Sequence, residues 1–156
     1  MSDLHDLVLI VHSFTRWCVL VACAGAVLHA SGLGRAQHDP RVGRLLVGLV
    51  DLQVLLGMTL YWGLSPLARA ARQLWADRGF LALWARPELR FFGLIHPALA
   101  LSAALAAHAG WVAVQRARTP EQRRRRLAAG AALALLLFSS AVPWPVLGHD
   151  RPWFRF

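Results

Sequence analysis

The stretch Leu7–Ser31, LVLIVHSFTRWCVLVACAGAVLHAS, decides the class of this protein. Apart from His12, Arg16 and His29 it is apolar, small or hydroxylic. About 20 such residues suffice to cross the hydrocarbon layer of a bilayer as an α-helix. Three further runs of this kind follow, Leu45–Leu64, Phe91–Val114 and Leu127–Leu147. Helix-breaking residues bound each run. Gly32, Gly34 and Pro40 follow the first, Ser65-Pro66 closes the second, and Pro87 and Pro120 precede the third and fourth. The first run is too long for a signal-peptide core, and Met1–Asp6 ahead of it is acidic rather than basic, so it reads as a retained helix. The expectation is an all-α, integral membrane four-helix bundle forming one transmembrane domain over residues 1–156.

Composition agrees. Of the 156 residues, 57% are hydrophobic and only 16% charged. A soluble domain carries about a quarter charged residues, and so short a chain has too little interior to hide this much apolar surface. The formal charge of +9 lies between the apolar blocks, which argues against nucleic acid as a partner and for a lipid bilayer. All 17 basic residues are Arg. Cys18 and Cys23, five apart, point away from one another on a helix and should not pair. The chain lacks CxxCH, so covalent c-type haem is excluded.

The 1–2 and 3–4 loops hold nine Arg: Arg35, Arg41, Arg44, Arg116, Arg118 and Arg123 to Arg126. The other side holds seven, diluted by acidic residues. The positive-inside rule then puts both termini outside, periplasmic in the inner membrane of a bacterium. The connector Pro66–Pro87 places Leu67, Ala70, Ala71, Leu74 and Trp75 at helical spacing, with Arg69, Arg72 and Arg78 between. It reads as an amphipathic helix on the outer surface. Trp62, Trp75, Trp84, Trp144 and Trp153 fall near the outer interface, as an aromatic belt does.

Ionisable groups inside spans are costly, and by default they mark function. His12 lies five residues past Leu7, and His96 five past Phe91. Both helices enter from the outside in this topology, so both imidazoles sit about 7–8 Å deep. Two imidazoles at one depth can ligate a haem b from its two faces, their nitrogens about 4 Å apart across the iron. The structural alternative is two histidines satisfied by backbone or water. His29 and His108 lie at matched depth on the inner side. They are about 100° and 120° off the azimuth of His12 and His96, so one haem is expected rather than two. His108 could instead pack between helices or contact a proton or quinone. Arg16 lies one turn below His12 and needs a partner, for which Asp51 or Gln53 on the second span is within reach. Arg16 and Gln53 are also candidates to touch a haem propionate or quinone head group. Gly25, Gly48, Gly57 and Gly93 would permit close helix approach or a flat ligand.

HSFTRW at 12–17, DLQVLLG at 51–57, LYW at 60–62, RFF at 90–92 with His96, PWP at 143–145 and RPWF at 151–154 occur in that order. Together they resemble a family of small four-helix bacterial membrane proteins labelled cytochrome b or cytochrome b561-like, over nearly the whole chain. The resemblance implies haem b and electron transfer. It covers His12, Arg16, Gln53, His96 and Arg151. Asp51 stands where the family pattern has His, which removes one further ligand and weakens a two-haem arrangement. Arg90 and Arg151 fall where propionates would emerge, and could equally attract an acidic redox protein.

The leading expectation is therefore a membrane b-type cytochrome passing single electrons, a relay or subunit rather than a stand-alone enzyme. A haem-free accessory or scaffold subunit of a respiratory complex is the alternative. A proton or solute carrier is weaker, since no inverted repeat is seen. The topology has a direct check. A reporter active only in the cytoplasm, fused after Phe156, should be silent, and strong activity would invert the orientation.

Overall fold

The computed structural model describes residues 2–31 and 40–144, and its regular elements among them are all helical. Helix α1 spans Ser2–Ser31. Helix α2, Pro40–Thr59, runs on through a wider π turn at Leu60–Leu64. Helix α3 spans Pro66–Trp84 and the short α4 Pro87–Arg90. A second π turn, Phe91–Ile95, joins α4 to α5, His96–Gln115. Helix α6 spans Pro120–Ala141.

Three rods, Asp3–Ala30, Arg41–Leu64 and Pro87–Gln115, are long and apolar enough to cross a membrane. They carry the first three expected spans. The fourth differs from expectation. Helix α6 opens on Arg123 to Arg126 and stops at Ala141, because Pro143 forces Val142 into an extended conformation (φ −69°, ψ 129°). Its apolar part from Leu127 to Ala141 is only about 22 Å long, less than the ~30 Å of hydrocarbon. Leu147, where the expected span ended, lies outside the described residues.

Helix α1 packs on α2 and α6, and α5 packs on the same two neighbours. Helices α1 and α5 therefore stand opposite one another. Small residues set the spacing between α5 and α6. Ala103, Ala107, Ala131 and Ala134 are buried, and Gly110 meets Gly130 backbone to backbone. A methyl at residue 110 would lie 2.8 Å from Gly130 Cα. Gly43 of α2 accepts the face of Trp111 in the same end of the molecule. Carbonyl groups left over where α1 and α5 end are met by the basic start of α6. Arg124 Nε donates to Ala30 O (3.1 Å) and Arg126 Nη1 to Ala113 O (2.8 Å), placing cations at the negative ends of two helix dipoles. Of the glycines singled out in the sequence, Gly25 and Gly48 face open space, whereas Gly57 and Gly93 do make close contacts.

The expected amphipathic helix between the second and third spans is present as α3, with two corrections. It is broken at Gly79, whose φ of +79° and ψ of 178° only glycine adopts without strain. Two of its arginines serve the neighbouring helix. Arg69 Nη2 donates to Gly63 O (3.2 Å), and Arg72 bonds Tyr61 O and Trp62 O while lying over both rings. Pro66 has no N–H for the carbonyl of Trp62 four residues back, so these guanidinium groups close the end of α2. Ala68, Ala71 and Leu83 form its buried face, while Trp75, Phe80 and Trp84 form an exposed aromatic cluster. Trp153 of the expected belt lies outside the described residues.

The Gly110–Gly130 contact can be tested against an open glycine. Gly110→Val should lower stability in detergent by about 1–3 kcal/mol through overpacking. Gly25→Ala should leave stability unchanged or raise it, since a helical Ala meets no neighbour there. Equal thermal midpoints for the two variants would show that the glycine contact does not set the helix spacing.

Candidate functional site

Two prolines shape the site. Pro97 follows His96 and lacks the N–H that would bond the carbonyl of Gly93, four residues earlier. The helix widens there into the π turn Phe91–Ile95, where the His96 N–H reaches back to Phe91 O. The Gly93 carbonyl is taken by Tyr61 Oη, which donates over 3.0 Å from the π turn of α2. At the end of α6, Pro143 turns Val142 out of the helix, so the carbonyl of Ala141 has no helical donor ahead of it. That carbonyl accepts from His96 Nδ1 at 2.7 Å. Each proline thus frees one carbonyl, and each carbonyl holds one aromatic side chain in place.

With its proton on Nδ1, His96 presents Nε2 as a lone pair, and no described residue bonds that atom. His12 stands opposite on α1, with ring centroids 6.3 Å apart and planes 72° to one another. Gln53 of α2 contacts His12 Nε2 through its amide at 3.3 Å. His12 Nδ1 and Gln53 Oε1 are both buried without a partner. Turning the amide over, which exchanges O and N, lets Oε1 accept from His12 Nε2–H and leaves a lone pair on Nδ1, with the amide NH2 then the other unmatched group. Gly57 lies against this ring: a methyl there would sit 3.2 Å from His12 Cε1 and 3.9 Å from Nδ1.

The two imidazoles border a cavity in two connected parts, since both parts share His12, Arg16, Gly57, Tyr61 and His96. The deeper part is about 70 Å³, walled by Val54, Ala100, Leu101 and Phe138 with Gln53 at its edge. The outer part, about 340 Å³, runs up past His5, Ser13 and Phe92 to the start of α3 at Ser65 to Ala68. Its size falls in the range of small-molecule sites, which are mostly apolar with a few placed polar groups.

The two residues expected as a pair, His12 and His96, are therefore brought together, and Arg16 and Gln53 share their cavity. Other expectations need correction. Asp51 is not the partner of Arg16. Its Oδ1 accepts from His108 Nε2 at 2.7 Å, on the outer face of α2 and α5. Asp51 is exposed, pointing away from the buried Gln53 two residues on, because residues two apart lie on different faces of a helix. No ring contact or hydrogen bond among the described residues joins His29 to His108, the second expected pair. Arg90 is not in the cavity wall. Its Nη1 donates to Trp84 O (3.0 Å), and its guanidinium lies 4.8 Å from the Trp84 ring, closing the end of α3. Arg151 lies outside the described residues. Tyr61 and the Ala141 carbonyl were missed as site residues, although Pro97 and Pro143 signalled two unbonded carbonyls.

A haem between His12 and His96 can be tested against this geometry. Metal–imidazole bonds of about 2 Å on each side, plus about 1 Å from each nitrogen to its ring centre, call for centroids about 6 Å apart. The observed 6.3 Å meets that. Each imidazole has one nitrogen oriented by a protein group and the other unbonded, the usual state of a ligating histidine. Gly57 carries no side chain to crowd the His12 ring. The donor set fits an axial pair. Among the described residues no group of three or more His, Cys, Asp or Glu gathers into a site for a bare ion.

No family model matches the chain, and neither a curated protein nor a solved structure does.

The proline account predicts a coupling. Tyr61→Phe should cost about 1–3 kcal/mol by leaving the Gly93 carbonyl unbonded. In a Pro97→Ala background, where residue 97 regains an N–H, most of that cost should vanish. Additive losses in unfolding titrations would refute the coupling.

Proposed function

We propose that the protein is a membrane four-helix bundle that holds one haem b between His12 and His96 and passes single electrons. The observation that carries this reading is the meeting of two imidazoles, from opposite helices, at the edge of an apolar cavity, each with one nitrogen that no described residue bonds. A bound haem would supply one-electron redox chemistry at its iron. The chain's own residues do the rest. Ala141 O holds the His96 ring through Nδ1, and Gln53 orients His12. Gly57 lets the His12 ring lie close to the α2 backbone, and Val54, Ala100, Leu101 and Phe138 exclude water. Arg16 adds positive charge at the cavity wall, which favours carboxylates and a reduced-charge balance around them.

In this reading the chain sits in a bacterial inner membrane with both termini periplasmic and the cavity opening to that side. Partners are then a redox protein or subunits of a respiratory complex at the outer end, and a quinone in the lipid phase. The His12–Gln53 hydrogen bond favours one second reading, a haem-free accessory subunit in which Gln53 and Ala141 simply satisfy the two histidines.

Absorption spectra separate the two. Protein purified in detergent should show a reducible b-type spectrum and one haem per chain by pyridine haemochrome. His12→Ala and His96→Ala should each abolish it, while His108→Ala should not. A colourless, folded wild-type protein supplied with haem during expression would establish the haem-free reading. Two haems per chain would overturn the single-site geometry.

A further inference from the structure

The His108–Asp51 pair has no role in the cavity, yet it is the costliest feature of the surface if the rods cross a bilayer. Asp51 lies ten residues beyond Arg41 and thirteen before Leu64, so it is about 15–20 Å from either end of its rod. Ionisable groups at such depth face protein or a polar cavity. This pair faces away from its own bundle, with 45% of the His108 side chain and 59% of Asp51 exposed. His108 Nε2–H donates to Asp51 Oδ1. Among the described residues no further hydrogen bond reaches His108 Nδ1 or Asp51 Oδ2. Whatever covers the pair must match an imidazole and a carboxylate standing side by side.

A second copy of the chain does so by symmetry. Two copies inserted the same way round are related by a two-fold axis along the bilayer normal. That rotation keeps depth and exchanges left with right on the shared face. Asp51 of each copy then stands opposite His108 of the other. One proton per chain, held between Nδ1 and the facing Oδ2, closes a ring of four hydrogen bonds that carries no net charge. A rotation of any other order would bring a different patch against the pair.

The flanking residues continue the seam. Leu55 and Met58 lie four and seven residues after Asp51, and Leu105 and Leu101 three and seven before His108, so each pair shares a helix face with the ion pair. All four are exposed. One polar layer within an apolar seam fixes register and the number of chains. Met58 and Leu101 also wall the deeper part of the cavity. A copy seated on this face therefore covers the wall that separates that cavity from lipid.

We propose that the α2/α5 face pairs with the same face of a second copy, Asp51 of each chain bonding His108 of the other, and that each copy closes the lipid side of its neighbour's cavity. The inference rests on the membrane reading, and the pairing itself needs no haem.

The test uses the full chain carrying a donor or an acceptor fluorescent protein after Phe156, co-reconstituted into liposomes and followed by energy transfer as lipid is added. Transfer should persist at dilutions where chance proximity has vanished. Asp51→Leu and His108→Leu each remove both cross-chain bonds and should weaken association by about tenfold or more. A mixture of the two variants regains one cross-chain bond. It should associate about tenfold more tightly than either variant alone, the worth of about 1.4 kcal/mol. A mixture no tighter than the single variants, or wild-type chains that stay monomeric, would overturn the proposal. A second arm holds if those variants fold poorly. In a Cys18→Ala, Cys23→Ala background, Leu55→Cys mixed with Leu105→Cys should give a disulfide-linked dimer on oxidation with copper phenanthroline, whereas Val21→Cys on α1 should not. Dimers joined through residue 21, or none joined between residues 55 and 105, would also overturn it. Alkaline carbonate washing and haem absorption are read on the same vesicles. Chains washed away would sink the membrane reading and this inference with it, and inserted monomers would sink this inference alone. A colourless dimer would sink the haem reading and keep the pairing.

Discussion

A carbonyl that has lost its own helix donor is the constraint on which the site depends. A backbone C=O buried in an apolar setting costs free energy until something donates to it. Pro97 removes the N–H that the α-helix would have offered to Gly93, and Pro143 ends α6 so that no helical N–H follows for Ala141. Tyr61 takes the first carbonyl and His96 the second. One bond ties the π turn of α2 to that of α5, and the other ties α5 to the end of α6. The His96 ring is thereby fixed in one tautomer, its second nitrogen bonded by no described residue. A proline-bearing helix that might simply have kinked instead places two aromatic side chains.

The molecule divides along its length as a result. At one end, glycine and alanine let α5 and α6 touch through their backbones, and Arg124 and Arg126 close the carbonyl ends of α1 and α5. At the other end the π turns and the short apolar length of α6 keep the helices apart. Helix α3 lies over that gap, held by Arg69 and Arg72 on the last carbonyls of α2. Tight packing at one end and a cavity at the other follow from where small residues and prolines fall in the sequence.

Much of this was legible before any coordinates. Apolar run lengths found the three long rods, and helical rise alone put His12 and His96 at one depth. What escaped was azimuth and competition. Depth placed Asp51 within reach of Arg16, but Asp51 looks outward to His108 and leaves the inward direction to Gln53. Arg90 sat at the right end for the cavity, yet the unbonded Trp84 carbonyl nearby claimed it. Of four glycines flagged for close approach, two face open space, while Gly110 and Gly130, in plain alanine-rich stretches, make the closest backbone contact. Hydrophobic period reads which residues are buried. It does not rank the unbonded carbonyls that draw cationic side chains to themselves.

The central claim is that two imidazoles, held 72° apart by separate backbone and amide partners, address one iron. Low-temperature electron paramagnetic resonance of the oxidised protein measures this most directly. Near-perpendicular axial imidazoles give a highly anisotropic low-spin ferric signal, and that is the expected spectrum, lost in both His12→Ala and His96→Ala. A high-spin signal, a low-spin signal typical of parallel rings, or no haem signal from folded protein would contradict the account.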